Sequence, residues 1–77
     1  MYLDKIIDVI ASQMNIPKEN ITRDSSFKED IGADSLDIFE IINTLEEEFG
    51  LEFSNEDAES IKTVGQAADY IQKAINK

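Results

Sequence analysis

The stretch "GADSLDIFEIINTLEEEFG", residues 32–50, decides the architecture of this chain. Ile38, Ile41, Ile42, Leu45 and Phe49 recur at the spacing that lines one face of an α-helix for four turns. Both ends are punctuated. Asp34 suits the N-cap, and Asp37, three residues on, completes a capping-box-like arrangement. Ala33, ahead of the cap, is placed to touch Ile38 as a hydrophobic staple. Gly50 fits the left-handed residue that closes a helix. This is the second helix of the chain, and at its front end a lone hydroxyl, Ser35, stands between acidic neighbours.

Working back from this helix, residues 15–34 form a long connection rich in Asn, Ser, Asp and Gly. It also carries Ile16, Ile21, Phe27 and Ile31, which predict a loop pinned onto the core. So long a loop in so small a domain is often functional. Before it, Leu3, Ile6, Ile7, Ile10 and Met14, with Tyr2 and Val9 beside them, predict helix one over roughly residues 3–14. Pro17 biases Ile16 away from helical angles and ends that stripe. Working forward, Ser54 can cap one or two turns ending near Ile61. Thr63 then opens a last helix, with Gln66 as its capping-box partner. Its buried stripe is expected at Val64, Ala67, Ala68, Ile71, Ala74 and Ile75. No segment sustains strand-like alternation. The fold class is therefore all-α: a small bundle of three main helices and one short helix, with a long loop between helices one and two.

The chain has 77 residues and no cysteine, which reads as a single domain over 1–77 without disulfides or thiolate zinc sites. A chain this short buries only about 60–65% of its unfolded surface, leaving no room for a deep catalytic cleft. The opening "MYLDKIIDVI" lacks a basic leader and is broken by Asp4, Lys5 and Asp8, so it does not read as a signal peptide. No uncharged run approaches a membrane span. The expectation is a soluble, cytoplasmic protein.

The net charge of −10 argues against nucleic acid as a partner. From Glu29 to Glu59 there are twelve carboxylates and no lysine or arginine, with Lys28 and Lys62 just outside that span. Ser35 lies inside this acidic field. It cannot be a self-sufficient nucleophile, because the chain has no histidine to act as base and the local string is not G-x-S-x-G. Nor is there a calcium loop, since Asp30, Asp34 and Asp37 are wrongly spaced and Gly32 is misplaced; no metal ligand set is expected beyond diffuse cation binding. Two readings of Ser35 remain open. In the first, it simply belongs to the cap region of the helix. Alternatively, with Asp34 serving as cap, its hydroxyl is free at the first helical position, where a phosphate ester would meet the positive end of the helix dipole.

The chain resembles the acyl carrier protein family, in its stand-alone fatty-acid-synthesis form. "DIGADSLDIFEIINTLEEEFG" carries the D-S-L signature of that family, and "SSFKEDIGA", "NEDAESIKTVGQAADYI", the helix-one stripe and the length extend the likeness over nearly the whole chain. The resemblance implies that Ser35 is the attachment point of a covalent 4′-phosphopantetheine arm, with Asp34 and Leu36 completing the signature. A phosphopantetheinyl transferase using magnesium would take the arm from coenzyme A. Acyl chains would then ride on the arm's thiol as thioesters, and the protein itself would not be an enzyme. The resemblance further implies that Asp37, Glu40, Glu46 and Glu47 meet basic surfaces of fatty acid synthesis enzymes. Phe39 would supply an apolar contact where Asn43 replaces the family's usual apolar residue. Phe27, Leu45, Phe53, Ala58, Ile61, Ala67 and Tyr70 would enclose the acyl chain, and the protein would act as a monomer. A carrier for polyketide or amino-acyl groups is the nearest alternative. An unmodified acidic helical domain that only binds proteins is the alternative from a different class.

Overall fold

The computed structural model describes residues 2–76. The apolar stripes identified above become α1 (Tyr2–Met14), α2 (Ser35–Phe49), α3 (Asn55–Ser60) and α4 (Val64–Ile75). No strand forms among the described residues; there is only an isolated antiparallel bridge between Ser26 and Thr63. The long connection also holds a single 3-10 turn, Lys18–Asn20, that apolar spacing gives no hint of.

Local chemistry accounts for the helix ends. The Asp37 N–H donates to Asp34 Oδ1 at 2.9 Å, and the Asp34 N–H donates to Asp37 Oδ2 at 3.3 Å, so the α2 capping box is complete. Gly50 takes φ 65°, a left-handed conformation that closes α2 without a Cβ clash. Thr63 and Gln66 form the second capping box at the start of α4, and the Ser54 hydroxyl accepts from Asp57 N–H to cap α3. Helix α1 begins at Tyr2, whose ring meets Phe49 edge-on with centroids 5.8 Å apart. The expected α4 stripe outruns the core in its last turn: Ile75 is exposed. Ala74, in the same turn, is half-buried.

Helix α1 packs against both α2 and α4. One cluster joins Ile6 and Ile10 of α1, Ile41 and Leu45 of α2, and Val64 and Ile71 of α4, with Ile21, Phe27, Ile31 and Ala33 of the long loop buried among them. Each such side chain contributes on the order of 1.5–3 kcal/mol by leaving water, which explains why the loop is held rather than loose.

Backbone bonds then fix its path. Gly65 N–H donates to the Arg23 carbonyl at 2.8 Å, Val64 N–H to the Ser25 carbonyl at 3.1 Å, and Phe27 N–H to the Lys62 carbonyl at 3.1 Å. Gly65 suits this approach, since a Cβ there would lie 3.0 Å from the Arg23 oxygen and would crowd it. At the far end Ala33 N–H donates to the Phe27 carbonyl at 2.7 Å. The loop thus delivers the chain to the start of α2 from beside the start of α4.

Candidate functional site

Ser35 is the first residue of α2 and is exposed. Because Asp34 and Asp37 already satisfy the capping box, the Ser35 hydroxyl has no capping duty. Leu36 beside it is 69% exposed and Phe39, one turn on, is 56% exposed. The Ser35 hydroxyl is accessible and flanked by exposed apolar side chains, and the chain supplies no histidine to deprotonate it.

A cleft of about 680 Å³ opens beside this hydroxyl, within the range of small-molecule sites. Its walls are Phe27 of the loop, Ile38, Phe39 and Ile42 of α2, Ala58 of α3 and Ile61. Ser35 and Ser26 also line it, with the charged side chains of Lys28, Glu29, Glu59 and Lys62. Apolar walls, one free hydroxyl and a polar margin suit a flexible arm that carries an apolar group.

The residues expected to enclose an acyl chain do not line one cavity. Phe27, Ala58 and Ile61 face this cleft. Leu45 and Ala67 instead lie in the closed core, at 0% and 1% exposure. Phe53 and Tyr70 stack on each other with centroids 4.4 Å apart and do not line the cleft. Ile38 and Ile42 were expected as core-facing residues of α2 and serve as cleft walls as well. Lys28 and Lys62 enter the site from positions that sequence spacing marks only as the ends of the acidic span.

The acidic residues of α2 differ in freedom. Glu40 and Glu47 are exposed, while Asp37 is held in the capping box. Glu46 is half-buried, and its Oε2 accepts from Phe53 N–H at 2.7 Å, which ties down the segment after α2. Beyond it, the Tyr70 hydroxyl donates to Asp57 Oδ2 at 2.9 Å and links α4 to α3. Hydrogen bonding from Ser54 first, and from Tyr70 second, holds the Asp57 carboxyl below the usual carboxylate range. The same bond to Asp57 pushes the Tyr70 phenol up. Among the described residues no cluster of acidic side chains is arranged to hold a metal ion.

Comparison with known families completes the assignment of class. The family model described as "Phosphopantetheine attachment site" matches residues 4–71. The chain therefore belongs to this family, in agreement with its resemblance to acyl carrier proteins, and the family carries a covalently attached 4′-phosphopantetheine. A transferase and acyl chains are the partners this membership implies. Among the described residues no helix is long and apolar enough to cross a membrane.

Proposed function

We propose that this protein is a discrete acyl carrier of fatty acid synthesis, with Ser35 as the attachment point. The observation that carries the reading is the exposed Ser35 hydroxyl, released from capping by Asp34 and Asp37, at the margin of an apolar cleft. Transfer from coenzyme A would join the phosphoryl group to Ser35 Oγ as a phosphodiester, with the serine proton lost and the adenosine bisphosphate part of coenzyme A leaving. When bound, the arm supplies the thiol that this cysteine-free chain lacks. The chain's own residues then orient the arm and present it; none acts on the thioester, so the protein is a carrier and not an enzyme.

Partner enzymes would be met by the α2 surface around Leu36, Phe39, Glu40 and Glu47. Exposed carboxylates of this kind raise encounter rates and fix orientation more than they add affinity, which suits a carrier that must release each partner. The acidic α2 favours enzymes with basic docking surfaces, the partners expected for the fatty-acid type.

The test is direct. Incubated with coenzyme A, magnesium and a broad-specificity phosphopantetheinyl transferase, the wild type gains the mass of one arm and Ser35→Ala gains none, with unchanged circular dichroism. An unmodified wild type would leave only an acidic binding domain. Turnover of the loaded form by fatty acid synthases, but not by polyketide or amino-acyl loading enzymes, checks the pathway.

A further inference from the structure

Lys28 and Lys62 are 34 positions apart in sequence, yet backbone bonding brings them to one opening. Phe27 N–H donates to the Lys62 carbonyl, and Ser26 bridges Thr63. The Phe27 carbonyl in turn accepts from Ala33 N–H, two residues before Ser35. One buried phenylalanine thus sets both lysine-bearing segments beside the start of α2.

The charge of these lysines is uncommitted. Lys5 pairs with Glu48 at 3.6 Å, Lys18 with Asp8 at 2.7 Å, and Arg23 with Asp69 at 3.1 Å. Among the described residues neither Lys28 nor Lys62 forms an ion pair, although Glu29 and Glu59 line the same cleft. Two unpaired cations at the margin of an otherwise acidic region are a place for an anion. An arm on Ser35 brings one, because the phosphodiester is bonded to the serine oxygen itself and stays tethered in the cleft at high effective concentration.

We infer that Lys28 and Lys62 bind the phosphodiester of the Ser35-linked arm and lay the arm against the apolar wall of the cleft. The inference rests on Ser35 being the attachment point. Both lysines are exposed, so the hold is weak and salt-sensitive. Weak holding is functional here: the arm shelters between encounters and swings out when a partner engages. The competing anion in the same place is a terminal carboxylate on a dicarboxylic acyl group.

The experiment loads wild type, Lys28→Gln/Lys62→Gln and Lys28→Arg/Lys62→Arg with the arm and verifies one arm per chain by mass. Phosphorus NMR and NOEs from the arm methyl groups to Phe39 and Ile61 are then recorded for the free-thiol, acetyl and malonyl forms. In the wild type the phosphorus resonance moves as salt is raised. In the Gln variant it starts at the high-salt position, and the NOEs fall by up to about five-fold in every form, the upper ratio that exposed ion pairs supply. The Arg variant keeps the wild-type behaviour, which separates charge from loss of structure. Identical phosphorus spectra and NOEs in wild type and the Gln variant overturn the inference. So does a change confined to the malonyl form, which assigns the lysines to the carboxylate. A wild type that gains no mass brings down the attachment reading itself and is distinguished at the first step.

Discussion

The two sides of this domain are built to different standards. Where α1 meets α2 and α4, Ile6, Ile10, Leu45 and Ile71 are fully enclosed and the helices pack over their length. Around α3 no residue of the helix is buried, α3 has no comparable packing with another helix, and Ala58 faces α2 across a cleft. That side is held by two hydrogen bonds, Phe53 N–H to Glu46 and Tyr70 to Asp57, and by the Phe53–Tyr70 ring stack. The contrast shows that a domain with little stability in reserve concentrates its packing on one side and leaves the cleft side lightly packed. Phe27 and Ile61 tie the cleft to the core, and Ala58 of α3 is the wall that contributes least to it.

Substitutions can break or sharpen this contrast. The largest effect falls on the packed side. Leu45→Ala leaves a cavity and costs about 2–5 kcal/mol, much of the stability of a small domain, read as a lowered midpoint in denaturant. If Leu45 belonged to the adaptable side, the loss would be far smaller.

Next is the junction of the two sides. Asp34→Ala removes the α2 cap and costs about 0.5–2 kcal/mol, whereas Asp34→Asn preserves the cap and most of that stability. Reduced arm transfer to Asp34→Asn at unchanged stability would give the aspartate a recognition role beyond capping.

On the α2 surface, Glu40→Lys or Glu47→Lys should slow acyl transfer by partner enzymes several-fold at low salt, with the difference closing as salt rises and the midpoint unchanged. Equal rates at low salt would remove these carboxylates from recognition.

The smallest effect is local to α3. The lowered Asp57 value means its contribution is present above the ordinary carboxylate range and is lost as pH falls through that lowered value. The raised Tyr70 value means its contribution is whole below about pH 10 and is lost as pH rises through the raised value. The protection factors of the α3 amides, which are exchange rates corrected for the intrinsic dependence on pH, should therefore be highest between these limits. Tyr70→Phe should remove the alkaline change and weaken the acid one, while Ser54 keeps its share of the latter. An α3 whose exchange is the same in Tyr70→Phe at all pH values would show that the link carries no local stability.

The parts of the fold legible in the sequence are those set by neighbours in the chain. The caps at Asp34, Ser54 and Thr63 and the closing Gly50 involve residues only a turn apart, so their chemistry is written in short strings. The apolar stripes likewise predict which faces of α1, α2 and α4 are buried, apart from Ile75, which is exposed at the end of α4. Within the site, the exposure of Ser35 follows from the same local argument. The membership of the cleft does not. Phe27, Leu45 and Ala67 are grouped by resemblance alone, and of the three only Phe27 faces the cleft.

Where helices start and stop, with a serine at one of those starts, is readable from the chain because capping joins near neighbours; that the serine takes no part in the cap is seen only in the folded chain. Only the tertiary structure decided what stands next to that serine. The Ser26–Thr63 bridge and the bonds of Phe27 to Lys62 and Ala33 join segments far apart along the chain, and they select which apolar side chains form a wall and which lysines reach its margin. Such contacts depend on how the helices pack as a whole, and no local spacing records them.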